Sequence, residues 1–463
     1  MFGCIIKYML FSGFKQKLSA NRQSAILLLS FLFVIVSGTI LLSLPISQIN
    51  HINLIDVLFT CVSSTCVTGL ITISPLNDLT IFGQVVVLIM IQVGGLGLMS
   101  FVLLAIRSRN KLDYSERKFL KDSLNKYDDR DINGYLISIF IYTFVTEFIS
   151  FILLATQFYD GSGYSIFQSL FIAISAFCNA GIDIISTQSL LPFQSNIVIN
   201  LVVTSEIVLG GIGFIVWDDI KESIKEWYKN KYSFRTFFNK LKVHTRLVLM
   251  VNLVLIVSAM LLTFIFEYNN ALVDLSLGDK LLGSYFSSVT LRTAGFFTID
   301  FSKLTKASRL IMCVYMLIGG SPGGTAGGFK TTTIFLLVYA VKDVLGNNNN
   351  MHIFNRHIHK ANYIKASTII FLYISIIFVG MIALCSFENI DALDLLFEAC
   401  SALGTVGLTV GITTSLSALG KIVIMLLMFI GRIGPITLIL SLSNKEGKKN
   451  LGIKYPSEEI IVG

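Results

Sequence analysis

The chain has 463 residues, of which 54% are hydrophobic and only 14% charged, with a formal net charge of +8. Soluble domains average about 25% charged residues, so this chain has too few charges to cover a water-facing surface. Composition therefore excludes a soluble globular protein and predicts a polytopic membrane protein. The basic excess is explained by anionic lipid and an acidic partner, without nucleic acid.

Eight largely apolar runs have the length needed to cross a bilayer. The first, Ala25 to Leu44, carries no charge, and no small-residue cleavage site follows it, so we interpret it as a retained helix rather than a signal peptide. The others follow in chain order: Ile81 to Ile106, Tyr135 to Gln157, Gln194 to Trp217, Leu247 to Phe266, Leu310 to Ala340, Ser367 to Phe387 and Leu416 to Leu440.

Lysine and arginine predict the orientation of these spans. Of the 36 basic residues, 28 lie in five segments: the tails 1–24 and 442–463 and the linkers 107–134, 218–246 and 342–366. Cytoplasmic loops carry the excess of Lys and Arg in membrane proteins. We therefore expect a multi-pass protein with both termini and all three linkers in the cytoplasm.

Between the spans on the opposite side, four short apolar stretches end in a glycine: "LFTCVSSTCVTGL", "LFIAISAFCNAGI", "YFSSVTLRTAGF" and "LFEACSALGTVGL". The four glycines, Gly69, Gly181, Gly295 and Gly407, are separated by 112, 114 and 112 residues. An aromatic residue stands ten positions before each glycine. A serine stands six positions before it in three units, whereas Val289 interrupts this pattern in the third. The spacing predicts four repeats, at 25–106, 135–217, 247–341 and 367–441.

Each unit is predicted to be a span, a re-entrant helix, a glycine-centred loop and a second span. Irregular backbone at membrane depth is tolerated where it is buried in protein or lines a water-filled cavity. Four such loops can converge on one axis, where backbone carbonyls replace the hydration shell of a monovalent cation. No acidic side chain stands at the glycine or the three positions before it, which disfavours calcium or magnesium. The alternative is that the glycines serve helix packing.

The second span of each unit carries a further glycine motif: "GGLG" (94–97), "GGIG" (210–213), "GGSPGG" (319–324) and "GRIG" (431–434). The third motif extends into "GGSPGGTAGGFKTTT", which has too much glycine and proline to remain helical. We expect residues 319–333 to unwind inside the membrane as a candidate gate. A phosphate-binding loop is disfavoured because Phe329 separates Gly328 from Lys330 and no soluble α/β context is present.

Two charged residues lie in these outgoing spans. Lys330 is expected either to reach the cytoplasmic interface or to take part in gating. Arg432 replaces the second glycine of its motif at mid-span, where an unpaired charge is costly. It is expected either to face the pore as a barrier to cations or to pair with a carboxylate such as Glu206 or Glu147.

These motifs together resemble the Trk/Ktr/HKT superfamily of potassium transporters. The resemblance rests on "TCVTGL", "NAGI", "RTAGF", "GTVGL", "GGSPGGTAGGFKT", "GRIGPITL" and the closing "KYPSEEIIVG". It covers nearly the whole chain and is strongest to the KtrB-type membrane subunits of the bacterial Ktr branch.

The resemblance implies an all-α integral membrane fold. Four repeats of helix, pore helix, filter loop and helix would form a pseudo-tetrameric, potassium-channel-like pore, with potassium as the transported ion. Glycine at all four key positions resembles the potassium-selective members. The implied filter residues are Val67, Thr68, Gly69, Asn179, Ala180, Gly181, Thr293, Ala294, Gly295, Thr405, Val406 and Gly407. The residues assigned to gating are Gly319, Gly320, Ser321, Pro322, Gly323, Gly324, Thr325, Ala326, Gly327, Gly328, Lys330 and Arg432.

The resemblance also implies partners. The chain would work as a homodimer in a bacterial cell membrane, with a cytoplasmic ring of RCK/KTN subunits of the KtrA or KtrC type on its basic inner face. Nucleotides would bind that ring and not this chain, which is expected to be neither an enzyme nor a nucleic-acid-binding protein. The alternative is a sodium- or proton-coupled symporter, for which Glu147 and Glu206 are the candidate coupling acids.

Overall fold

The computed structural model describes residues 20–97, 132–158, 165–346, 352–354 and 356–442. The predicted tails 1–24 and 442–463 and the linkers 107–134 and 342–366 lie wholly or partly outside these residues, and the predicted boundaries of the repeats and linkers stay predictions. The described part is helical apart from one two-stranded hairpin, β1 (His352–Ile353) and β2 (Arg356–His357).

The helices fall into four successive groups. The first group contains α1 (Ala20–Leu42), α2 (Leu54–Cys66), α3 (Pro75–Asp78) and α4 (Ile81–Gly95). The second contains α5 (Ile132–Phe158), α6 (Ile166–Phe177), α7 (Ile197–Gly211), α8 (Phe214–Asn230) and α9 (Phe234–Lys240). The third contains α10 (Val243–Glu267), α11 (Leu277–Thr290), α12 (Lys306–Leu317) and α13 (Thr331–Leu345). The fourth contains α14 (Lys360–Phe387), α15 (Ala392–Gly404), α16 (Ala418–Ile433) and α17 (Pro435–Leu442).

The same unit recurs in all four groups: a first helix (α1, α5, α10, α14), a short helix (α2, α6, α11, α15) and an outgoing helix (α4, α7, α12, α16). In the second, third and fourth units, the N-cap of the outgoing helix is bonded to the last turn of the first helix or to the residue just after it. Thr305 donates to Glu267 at the end of α10 (Oγ1 to Oε1, 2.7 Å), and Ser417 donates to Glu388 just after α14 (Oγ to Oε1, 2.6 Å). The same two hydroxyls accept from the backbone N–H groups of Ser308 and Gly420 and so cap their helices.

The four units are arranged in a circle. Each outgoing helix packs on the short helix of the next unit: α4 on α6, α7 on α11, α12 on α15, and α16 back on α2. The short helices supply the centre of the core, and each buries one phenylalanine completely: Phe59, Phe171, Phe286 and Phe397. The chain therefore closes on itself around the ends of its four short helices.

The sequence predicts a weak point at the glycine motif of each outgoing span, and the described outgoing helices end at these motifs. Within the described residues, three helices are long and apolar enough to cross a membrane, in α5, α10 and α14, and a fourth is counted if the bent pair α7–α8 is one span. Helices α4, α7 and α16 end within their glycine motifs and α12 ends just before its motif, and α8 continues from α7 at an angle of 96°. Residues 98–106, the rest of the first predicted outgoing span, lie outside the described residues.

The segment 218–246, predicted to be a linker, is also largely helical. It comprises the rest of α8, then α9 and the first turn of α10. The α8–α9 hairpin is held by Lys242, whose backbone N–H donates to Asp219 (3.0 Å) and whose ammonium pairs with Glu222 and Asp219. Lys242 therefore ties the hairpin together and also contributes positive charge to this segment.

Candidate functional site

The four predicted glycine segments directly follow the short helices and share one backbone conformation. The residue two positions before each glycine is left-handed: Val67, Asn179, Thr293 and Thr405 have φ between 53° and 69°. The four glycines have φ of 98°, 66°, 84° and 92°, whereas the intervening residues are not in the positive-φ region. This alternation is costly for L-residues, and glycine accepts it at the last position without penalty. We call these segments (67–69, 179–181, 293–295 and 405–407) the glycine ring.

The glycine ring is closed. A methyl group added at each ring glycine would come within 2.7 Å of the carbonyl oxygen that precedes the next glycine: Gly69 meets Ala180, Gly181 meets Ala294, Gly295 meets Val406, and Gly407 meets Thr68. The order is that of the units around the circle. Since these obstacles are backbone atoms that cannot rotate away, only glycine allows the four segments to approach this closely.

Hydroxyl side chains of the short helices hold the segments from behind. Ser63 accepts from the N–H of Gly69, and Ser401 accepts from the N–H of Gly407 (both 3.1 Å). Ser175 instead donates to the carbonyl of Ile182 (2.6 Å). The predicted serine position is thus engaged in all three units that have it.

The interpretation of the third unit needs correction. Thr290, not Val289, takes the serine's place and donates to the carbonyl of Phe296 (2.5 Å). Phe286, not Tyr285, is the fully buried aromatic. The hydroxyl follows the phenylalanine by four residues in every unit, so the third unit simply has one residue fewer before its glycine. A shift of one position in the alignment would have found Thr290.

The surroundings of the glycine ring favour a cation of low charge. No side chain in the twelve ring positions is acidic or basic. The four short helices end at the ring, and helix C-termini carry partial negative charge. The side-chain hydroxyls of Thr68, Thr293 and Thr405 are buried without a partner among the described residues.

The loop of residues 318–330, between α12 and α13, is irregular as predicted, and its two ends are joined. The prediction of unwinding up to residue 333 is wrong at its end, because Thr331 to Thr333 form the first turn of α13. Gly319 donates to the carbonyl of Phe329 (3.0 Å), and Thr331 donates to that of Gly320 (3.1 Å). Lys330 turns back into the loop, where its Nζ donates to Ala326 (2.7 Å). Of the two alternatives for Lys330, the structure therefore places its ammonium on the loop's own carbonyls.

The other side of the loop fills the break between α7 and α8. Ser321 and Thr325 donate to the last carbonyls of α7, those of Gly211 (2.9 Å) and Gly210 (3.1 Å). Phe214, at the start of α8, donates to the carbonyl of Gly323 (3.1 Å). The loop of the third unit thus satisfies backbone groups that the bend of the second unit exposes.

The loop also contacts the glycine ring. Gly327 packs so closely against the side chain of Thr405 that an added methyl group would overlap its hydroxyl. Arg292, directly before the ring residue Thr293, is buried and donates from Nη2 to the carbonyl of Gly319 (3.0 Å). The loop is therefore held against the ends of two ring segments.

Arg432 joins the loop to the first unit. Its guanidinium donates to the carbonyls of Thr325 in the loop and of Gly94 and Gly95 at the end of α4, the last at 3.3 Å. The alternative in which Arg432 pairs with Glu206 or Glu147 is not what the structure shows. Backbone carbonyls neutralise this charge, and no sequence pattern indicated that interaction.

Comparisons with known proteins give a consistent result. Residues 4–451 match the model of the TrkH family, described as cation transport protein. The chain is 37% identical to the Ktr system potassium uptake protein B of Bacillus subtilis, over 95% of this chain and 96% of that protein. It is 34% identical to the potassium/sodium uptake protein NtpJ of Enterococcus hirae, over 97% of this chain and 99% of that protein. The solved structure of the potassium transporter TrkH from Vibrio parahaemolyticus superposes with a TM-score of 0.72 at 17% identity, covering 93% and 86% of the two chains.

Proposed function

Because the chain belongs to the TrkH family of cation transport proteins, we propose that it is the potassium-translocating membrane subunit of a Ktr-type uptake system. The observation that carries this proposal is the closed glycine ring. Its four segments come from four units with the same helix order, so the pore is pseudo-tetrameric within one chain. The short helices are its pore helices and the ring segments its filter.

Selection follows from the backbone of the ring. Residues that alternate between positive and negative φ turn successive carbonyls to the same side. Four such segments around one axis offer stacked carbonyl oxygens to a dehydrated monovalent cation, in place of its water. The negative ends of the pore helices add to the attraction. The ion descends the membrane potential, which is worth about 2.3 kcal/mol per charge and 100 mV.

The loop of residues 318–330 gates the pore. It packs against Thr405, the first residue of a filter segment, next to the C-terminus of the pore helix. In a filter that ions enter from outside, this is the inner end. Arg432 fixes the loop in this position through Thr325. Movement of the loop away from the ring would have to break this contact and the bonds to α7, so a force on α7–α8 or α13 would control it.

Control of that movement comes from outside this chain. One relative is a subunit of a Ktr system by name. We propose that this chain forms a homodimer in a bacterial cell membrane, with both termini in the cytoplasm. A nucleotide-binding RCK/KTN ring of the KtrA or KtrC type would act on the basic segment that contains α8 and α9.

Ion competition with the purified protein tests the filter. Potassium and rubidium should displace each other from the protein in isothermal titration, and sodium should compete poorly. In liposomes the protein should carry rubidium down a potential without any gradient of sodium or protons. Equal competition by sodium would contradict the selectivity of the ring.

A coupled symporter is the second candidate, favoured by the name of the Enterococcus relative, which includes sodium. It predicts that rubidium uptake into liposomes stops when sodium is absent on both sides and the proton gradient is collapsed. Uptake that continues under those conditions would contradict coupling. A regulatory ring that inhibits uptake would not affect this assay, because the liposomes contain the purified membrane subunit alone.

A further inference from the structure

Two carboxylates lie in the interior of the second unit, away from the glycine ring and the loop. Glu147 is on α5 and Glu206 on α7, and they are 4% and 3% exposed. Gln92, on α4 of the first unit, donates from Nε2 to both oxygens of Glu147 (3.0 and 3.2 Å). Ser150 donates to Oε1 of Glu206. We call Glu147 and Glu206 the carboxylate pair.

The two carboxyl groups are neighbours. Ser150 stands three residues after Glu147 and so lies on the same face of α5, one turn away. The bond from Ser150 to Glu206 therefore brings the carboxyl group of α7 to the face of α5 that carries Glu147. Two negative charges in this position repel each other in an interior of low dielectric.

No cation balances them among the described residues. Neither acid forms a salt bridge there, and Arg432 is bound to backbone carbonyls. Within the described part of the chain, the thiol of Cys178, just after α6, also faces this region, whereas Lys221 of α8 is exposed. The ammonium of Lys221 lies over the ring of Tyr142 (5.5 Å), more than a turn from Glu147.

A second observation indicates what the pair binds. Oε2 of Glu206 is buried and has no hydrogen-bond partner within the described part of the chain. The hydroxyl of Thr143, which is fully buried and one turn before Glu147 on the same face of α5, is also without a partner there. The site thus contains a carboxylate oxygen of Glu206 that accepts no hydrogen bond and the hydroxyl of Thr143 on the face of α5 that carries Glu147, with no compensating positive charge among the described residues.

We propose that the carboxylate pair binds one proton, held between Glu147 and Glu206 while the protein is at neutral pH. The proton comes from water and enters no redox or group-transfer step. It removes one of the two charges and with it their repulsion, while Gln92 continues to donate to Glu147. The proton belongs to the pair rather than to either residue, as expected for tightly interacting acids.

The pair is connected to the ion path. The amide oxygen of Gln92 accepts from the thiol of Cys178 (3.4 Å), the residue directly before the ring segment 179–181. Gln92 is also in the last turn of α4, whose final carbonyls hold Arg432. Loss of the proton would restore the repulsion and disturb Gln92, and through it the ring and the anchor of the loop. This effect on flux rests on the proposed function, whereas the proton site does not.

Infrared difference spectroscopy of the purified protein tests the proton site directly. A protonated carboxyl group has a carbonyl stretch that shifts in heavy water. The spectrum of the native protein minus that of the Glu147→Gln/Glu206→Gln variant should contain this band, with the intensity of one group. The variant is neutral and close in shape, and Glu398→Gln serves as the control: it removes another buried acid, of α15, and should leave the band of the pair in place.

If the double variant does not fold, the single variants Glu147→Gln and Glu206→Gln carry the test, because a shared proton must change its band when either acid is replaced. A difference spectrum without the band at neutral pH would overturn the proton site. Rubidium flux in liposomes should change between mildly acidic and mildly basic pH and lose that dependence in the double variant. A native flux that is constant with pH would overturn the link to the ion path, even if uptake itself is normal.

Discussion

The glycine ring and the loop that packs on it are both made of glycine-rich, irregular backbone, but they use glycine differently. In the ring, four copies of one conformation meet, and each glycine is needed because the next segment's carbonyl occupies the space of a side chain. The loop exists in one unit only. It is held by bonds to α7, α8 and Arg432, which belong to other units.

The difference separates two requirements of ion flow. In the proposed function, the repeated conformation gives the ring the fixed diameter that ion selection needs. A single loop bonded to three units can leave its place without changing the ring. The following predictions test whether this separation is real, and they proceed from the largest expected effect to the smallest.

The largest effect is expected from a methyl group in the ring. In Gly407→Ala the new Cβ would collide with the carbonyl of Thr68, so the ring must widen or distort. We expect rubidium flux in liposomes to fall by about 100-fold, or about 2.8 kcal/mol.

Gly411→Ala is the matched control. Gly411 has φ of 99°, similar to the 92° of Gly407, but nothing lies within 4 Å of the position of a Cβ. Both variants suffer the strain of alanine at positive φ, and only one affects the ring. Equal losses in the two would contradict the role of ring contact.

Removal of the loop is expected to have the next largest effect, in the opposite direction. Deletion of residues 321–327 removes the contact of Gly327 with Thr405 while the ring keeps its sequence. Flux should rise about tenfold, which corresponds to about 1.4 kcal/mol in a gating equilibrium. The potassium-to-sodium ratio, measured in the same liposomes, should stay the same. Unchanged flux would contradict the gate, and a changed ratio would contradict the separation of ring and loop.

The glycine ring could be predicted from the sequence because its requirement for glycine is local and repeated. Each segment needs its own glycine, and four equal spacings made the pattern visible. The third unit was misaligned because one residue is missing between Thr290 and Gly295, which a count of fixed distances misses. The loop's location could be predicted from its glycine content. Its partners, such as the carbonyls of Gly210 and Gly211, are backbone groups distant in sequence that leave no pattern in side chains.

A smaller effect is expected at Arg432, which holds the loop from one side only. Arg432→Gln shortens the side chain and removes the charge, so the bonds to Thr325 and Gly94 should weaken or break. We expect flux to rise about threefold, for the loss of about 0.7 kcal/mol of loop anchoring. The double variant with the loop deletion should have the flux of the deletion alone, because Arg432 then has no loop to hold. An additive effect would mean that Arg432 acts on the ion directly.

The smallest effect concerns the joints between units. Lys421 of α16 pairs with Asp56 of α2 (2.7 Å), and Arg309 of α12 pairs with Asp394 of α15. In each pair the basic residue follows its ring glycine by 14 positions and the acidic residue precedes the next ring glycine by 13. The equivalent positions of the joint from the first to the second unit are Gly83 and Gln168, which are uncharged. Ion pairs therefore fasten the fourth unit to both of its neighbours. The bonds between the loop and α7 lie elsewhere, between the third and second units.

Exchange of the charges tests this fastening. Lys421→Asp alone should lower the thermal stability of the protein, by a free energy of about 1 kcal/mol, because Asp56 then faces a like charge at a partly buried site. Adding Asp56→Lys restores opposite charges and should recover most of the lost stability. The selectivity for rubidium over sodium should stay unchanged in both variants. The joint lies at the start of α2, thirteen residues from the ring glycine Gly69, and the ring's shape depends on close backbone contact instead. A change in selectivity in Lys421→Asp that disappears when Asp56→Lys restores the stability would contradict this. It would show that the joints, as well as the glycines, set the diameter of the ring.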